Sequence, residues 1–172
     1  MRKIERIING FSVSLLEITV YDKADVEELK TYRSEKNFIL GVDMLSYLDY
    51  FEEADYVILT GGELGTERYE PMYRICIRAL VIDYENTDED DENIDLSRCE
   101  GLEYLFTRAQ VNCINYAKCQ SLKTLVVFQW KDNDLHELCD SKIDSLEIIQ
   151  GGLVSLSYIN QIHRLRVLYL SN

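Results

Sequence analysis

Three stretches decide how this chain reads: Cys119-Gln-Ser-Leu122-Lys-Thr-Leu125-Val-Val127, Ile143-Asp-Ser-Leu146-Glu-Ile-Ile149 and Ile162-His-Arg-Leu165-Arg-Val-Leu168-Tyr-Leu170-Ser-Asn172. Each carries an apolar residue three places after another, and two of the three add a further one two places on. A motif that returns every twenty-odd residues signals stacked copies, because one copy cannot bury its apolar edge until a neighbour lies on it.

Working outward, the central apolar position is placed at Ile18, Leu40, Val57, Leu80, Leu105, Leu125, Ile149 and Leu168, at intervals of 22, 17, 23, 25, 20, 24 and 19 residues. Leu102-Glu-Tyr-Leu105 extends the pattern towards the centre, and Asn37 and Gly151 depart from it. These residues resemble the leucine-rich repeat, whose core reads Leu-x-x-Leu-x-Leu-x-x-Asn or Cys. The resemblance implies an α/β fold: a short, irregular leucine-rich-repeat-like solenoid with one parallel sheet of about six to eight strands. It also implies, as a tendency of that family, binding of a protein on the sheet.

Residues 1–172 are read as a single solenoid domain, with 1–53 either an N-terminal cap or degenerate copies. Strands are predicted over Phe11–Tyr21, Asn37–Val42, Ala54–Thr60 and Ile75–Asp83, from alternation and β-branched or aromatic content. Asp25, with Glu28 three residues on, predicts a capped helix start, and Met44–Phe51 has apolar residues at helical spacing. Between strands, Ile114 with Ala117, Leu135 with Leu138, and Leu153 with Leu156 are expected to fill the side away from the sheet. The last copy leaves an open C-terminal strand edge, a pairing hazard that predicts a homo-oligomer as one outcome.

Nearly half the residues are apolar, so wholesale disorder is excluded, and no apolar run reaches the ~20 residues of a bilayer-spanning helix. Met1-Arg-Lys-Ile-Glu-Arg reaches Glu5 and Asn9 too soon for a signal peptide, and the expectation is a cytoplasmic protein. Thirty-one carboxylates against 18 basic residues give a formal charge of -13. Such a field repels nucleic acid and anionic membrane and favours a basic protein partner.

Chemistry finds little footing. The five cysteines (Cys76, Cys99, Cys113, Cys119, Cys139) form no C-x-x-C pair and are expected to be reduced and mostly buried. His136 and His163 have no ligand spacing; a His136–Cys139 dyad is the one nucleophilic pairing, and a surface histidine near a core cysteine is the commoner arrangement. Gly61-Gly-Glu-Leu-Gly65 reads as a turn, since a phosphate loop would need a lysine. The acidic run from Glu85 lacks the glycine of a calcium loop and reads as a solvated extension able to meet a basic partner. No catalytic residue, cofactor or metal ligand is assigned.

The positions flanking each anchor point off the core onto the exposed sheet. There the chain offers Tyr56, Ile58, Val81, Asp83, Tyr104, Phe106, Arg108, Val126, Phe128, Trp130, Ile148 and Tyr169. Solvent-facing strand positions are ordinarily polar, so an aromatic and apolar set marks an interaction surface. The expected function is non-enzymatic protein recognition, of an acidic inhibitor or immunity kind that neutralises a cationic protein. The alternatives are a self-associating adaptor or a small cysteine- or carboxylate-dependent enzyme.

Overall fold

A computed structural model describes residues 1–8, 11–61, 69–84 and 93–171. The chain is a mixed α/β protein with a large, mostly parallel sheet and few helices. The strands are β1 (Arg2–Ile8), β2 (Phe11–Ile18), β3 (Asn37–Gly41), β4 (Glu53–Thr60), β5 (Cys76–Ile82), β6 (Ile94–Asp95), β7 (Tyr104–Ala109), β8 (Cys113–Ile114), β9 (Thr124–Gln129), β10 (Ser145–Ile149) and β11 (Val167–Ser171). Nine form one sheet in the order β1-β2-β3-β4-β5-β7-β9-β10-β11, and β6 pairs with β8 separately. β1 and β2 are an antiparallel hairpin; every later neighbour pair in the large sheet is parallel. The sheet runs without a break through β2, β3 and β4, so the N-terminal third is part of it.

The connections returning from one strand to the next are mostly 3₁₀ turns, such as Leu96–Arg98, Tyr116–Lys118, His136–Leu138 and Ile159–Gln161. The residues that follow them, Cys99, Cys119, Cys139 and Ile162, turn the chain back towards the sheet. All five cysteines are free thiols, but only Cys113 and Cys119 are buried, fewer than the mostly buried set expected; Cys99 and Cys139 are half-buried and Cys76 is exposed. Burial pushes the Cys99 thiol up to about 12, as for a small apolar residue packed in a core. The one regular helix of more than a turn among the described residues, α1 (Lys23–Leu29), starts at Asp22 rather than Asp25. Asp22 accepts from the backbone of Ala24 and Asp25, and Asp25 reciprocates from the third helical position. The Met44–Phe51 region is a nine-residue 3₁₀ helix, Val42–Tyr50. A second short helix, α2 (Glu70–Tyr73), precedes β5.

The core lies on one face of the sheet. Its central row, set by strand register, is Leu16, Phe38, Val57, Leu80, Leu105, Leu125, Leu146 and Leu168. This corrects three of the eight anchors. Ile18 and Leu40 lie two residues further along their strands, and Ile149 is not in the row at all. With the correction the intervals become 22, 19, 23, 25, 20, 21 and 22 residues, a narrower spread than the sequence assignment gave. The position two residues on then reads Ile18, Leu40, Leu59, Ile82, Thr107, Val127, Ile148 and Leu170, apolar except for Thr107, whose buried hydroxyl donates to the Ala109 carbonyl at 2.7 Å. Gly151 is no failed copy of this row: it bridges Trp130, and an added Cβ would lie 2.6 Å from the Trp130 carbonyl oxygen.

On the side away from the sheet, Leu135 and Leu138 are fully buried as expected. Ile114 and Leu156 are instead exposed, and Cys113 and Tyr116 take the inner positions beside Ile114. At the start of the strands a second row crosses the sheet with alternating charge: Lys36, Asp55, Arg78, Glu103, Lys123, Asp144, Arg166. Arg78 reaches Asp55 at 3.8 Å and Lys123 reaches Glu103 at 2.8 Å.

Candidate functional site

Alternation puts the neighbours of the core row on the opposite face of the sheet. Their central row is Glu17, Ile39, Ile58, Val81, Phe106, Val126, Glu147 and Tyr169, each level with the next. Five consecutive strands thus carry an apolar residue, from Ile39 to Val126, over roughly 20 Å at the ~4.8 Å strand spacing. A carboxylate stands at each end, Glu17 and Glu147. Ile39, Ile58, Val81 and Phe106 are half-buried, and Val126 is covered by its neighbours to 8 % exposure.

Two flanking rows complete the face. On the strand-start side Tyr56 and Tyr104 bracket Ala79, and all three are half-buried. Burial, and secondarily the neighbouring Tyr104, pushes the Tyr56 hydroxyl up to about 12, so it stays a neutral hydrogen-bonding group. On the other side Arg108 donates through Nε and Nη2 to Asp83 Oδ1 at 3.1 and 2.5 Å, while its guanidinium carbon lies 5.9 Å from the Phe128 ring centroid. Both members of that ion pair are about half exposed. Beyond the Glu17 end a cavity of about 300 Å³ is lined by Glu17, Thr19, Tyr21, Ile39, Asp43 and Thr60, among others. A Cβ at Gly41 would meet the Asp43 carboxylate in its present position, and that exposed side chain would have to turn aside to admit it.

Of the twelve residues singled out in the sequence, ten lie on or beside this face: Tyr56, Ile58, Val81, Asp83, Tyr104, Phe106, Arg108, Val126, Phe128 and Tyr169, the last 54 % exposed. Two are corrected. Ile148 points into the core at 3 % exposure, in register with Val127 and Leu170, because its strand is read one residue out of phase when Ile149 is taken as the anchor. Trp130 lies past the end of β9, is 1 % exposed, and donates its indole N–H to the Asp134 carbonyl at 2.9 Å. Ile39 and Ile149 belong to the face and were missed. The Phe38-Ile39-Leu40 alternation could have found Ile39; nothing local could have placed Ile149 next to Ile148.

The other sequence candidates lie elsewhere. The His136 ring packs edge-on against Tyr158, and burial followed by the Asp140 charge raises the Cys139 pKa, which disfavours its thiolate. His163 Nε2 is 3.5 Å from Asp140. Residues 62–68 and the acidic stretch 85–92 lie outside the described residues. Among the described residues no three metal-ligating side chains cluster, and no helix is long and apolar enough to cross a membrane. Comparison with protein families, with curated proteins and with solved structures gave no match.

Proposed function

We propose that the chain is a short, irregular solenoid of leucine-rich-repeat type whose exposed sheet face binds another protein without catalysing a reaction. The observation that carries this reading is the ribbon from Ile39 to Val126: five neighbouring strands each spend an outward position on an apolar side chain. Burying such a strip contributes about 25 cal/mol per Å² of apolar surface, and tyrosine and arginine at its margins are the side chains that most often anchor interfaces. Register at intervals of 19 to 25 residues supports the repeat reading.

The partner is a basic protein, and the chain acts as an acidic inhibitor or immunity protein for it. Support comes from the formal charge of -13 and from the carboxylates of Glu17, Asp43 and Glu147 at the two ends of the strip. The charge field speeds encounter, and the apolar strip and tyrosines set the lifetime of the complex.

Affinity capture on the immobilised chain, with mass spectrometry and a salt gradient, tests the reading. A basic protein should be held by the wild type, be released by salt, and be lost from a Phe106→Ala, Phe128→Ala double variant. Retention of no protein, or of one indifferent to both salt and the double variant, would overturn it. A second reading, self-association, draws on the exposed Val167, Tyr169 and Leu170 of β11; light scattering of the isolated chain separates a monomer from an assembly.

A further inference from the structure

The cavity beyond the Glu17 end of the strip has its origin in one residue. Ile39 and Gly41 share the outward parity of β3, and Gly41 brings no side chain, so the outer face is vacant where Gly41 pairs with Thr60 of β4. The space left there is the cavity of about 300 Å³, with Ile39, the first apolar residue of the strip, in its wall. A protein that covers the strip as far as Ile39 therefore meets this opening as well.

The polar groups around it are of one kind. Asp43, at the start of the 3₁₀ helix Val42–Tyr50, lays its carboxylate where a Gly41 Cβ would stand. Glu17 brings a second carboxylate from β2, and Thr19 and Thr60 bring hydroxyls. Among the described residues no basic side chain lines the cavity. Asp43 is exposed and has neither a hydrogen bond nor an ion pair among the described residues. Glu17 is engaged from the β1 side, where Arg2, level with it, reaches Oε2 through Nε at 2.8 Å and Nη2 at 2.7 Å. Apolar cover comes from Ile39 and Met44, and the Tyr21 ring, 87 % exposed, borders the opening.

We propose that this cavity receives an arginine side chain of the basic partner. The assignment rests on the reading of the strip as a surface for a basic protein, and narrows it to one anchoring residue. Charge complementarity selects a cation, and the spread of the acceptors over separate elements selects its shape. A guanidinium carries five N–H donors in one plane and two apolar faces that lie well against an aromatic ring or a thioether, whereas an ammonium offers three donors from a single point. Glu17 already takes a guanidinium from this chain, that of Arg2. A divalent cation, which takes six or more oxygens, is less well served, since among the described residues no third carboxylate joins the two.

The probe is N-acetyl-arginine amide, with its neutral isostere N-acetyl-citrulline amide as control, each titrated into the isotope-labelled full chain. The amides of Gly41, Asp43 and Thr60 should move along saturable curves with the arginine compound and stay in place with the citrulline one. Asp43→Asn should weaken binding about five-fold, the scale of one exposed ion pair. Gly41→Leu, at a backbone conformation (φ -71°, ψ 156°) open to any residue, should fill the vacancy and abolish binding. Unchanged amide positions in β7 and β9 show that both variants keep the fold. Absence of saturable shifts at tens of millimolar probe, an equal response to citrulline, or indifference to Asp43→Asn would overturn the proposal. These shifts decide the cavity whether or not affinity capture retains a protein, so failure of the partner reading is seen separately. A captured basic protein should bind Asp43→Asn about five-fold more weakly than wild type, and equal binding would also overturn the arginine assignment.

Discussion

Phe128 and Trp130 stand two residues apart, and their surroundings give them opposite roles. The Trp130 ring is enclosed, with its N–H bonded to the Asp134 carbonyl, while Phe128 is half-buried under Arg108 on the exposed face. Trp130→Ala should therefore cost about 3–5 kcal/mol in chemical denaturation, and Phe128→Ala no more than about 1 kcal/mol. A reversed order would mean that the face assignment of β9 is wrong. Tyr56 offers a second measurement on the same face. Its folded pKa is raised to about 12, against about 10 for a free tyrosine, chiefly by burial. A group raised on folding stabilises the fold fully below the unfolded value, and that contribution is lost as pH climbs from about 10 through about 12. Stability of the wild type should fall over that window more steeply than that of Tyr56→Phe, and alkaline absorbance titration should lose one late-ionising phenol in the variant.

At the scale of elements, what was legible in the sequence followed from local signals. β4, β5, β7, β9 and β11 announce themselves by an apolar residue three places before the central one (Ala54, Ile77, Leu102, Leu122 and Leu165), which sets the phase although both strand faces are apolar, and ten of the twelve face residues follow from that phase. β10 does not: Leu146, Ile148 and Ile149 are all apolar, so parity within the strand is ambiguous, and only its pairing with Leu125 and Leu168 decides which residues point inward. β1 escaped notice because its charged residues share a strand with isoleucines and its pairing is to β2 rather than to the parallel series. The start of α1 was misread because Asp22 and Asp25 both satisfy a capping-box pattern three residues ahead of an acid, and the two frames are offset by a single box. The structure assigns the cap to Asp22, whose Oδ1 accepts from Ala24 N at 2.7 Å. Asp22→Ala should lower stability by about 1 kcal/mol. Glu28→Gln, which leaves the Asp22–Asp25 exchange intact, should change it by less than half as much in the same denaturant melt.

Across the whole molecule, an acidic chain with a formal charge of -13 still aligns its strands with an alternating row of seven charges. Each exposed pair in that row contributes at most about 1 kcal/mol, so the row adds little to total stability. Its larger consequence is for register. A parallel strand that slips by one residue turns its apolar set to solvent, and a strand that slips by two keeps its face but loses its charge partner. The row therefore penalises the even slips that hydrophobic patterning tolerates, which are the same displacements that separate Ile18 from Leu16 and Leu40 from Phe38. Lys123 tests this, standing between Glu103 and Asp144 with Glu103 Oε1 at 2.8 Å. Its contact holds the Glu103 carboxyl below the usual carboxylate range, through the side-chain hydrogen bond first and the Lys123 charge second. Lys123→Glu would set three acids in line at the strand start and should lower the denaturation midpoint at low ionic strength. The loss should shrink by at least half in ~0.5 M salt, where the screening length falls to about 4 Å. Combining it with Glu103→Lys exchanges the central pair but places the new lysine beside Arg78, so the double variant should recover only part of the stability. Full recovery would show that the Lys123–Glu103 pair acts alone, and a loss unaffected by salt would show that packing, not charge, governs this end of the sheet.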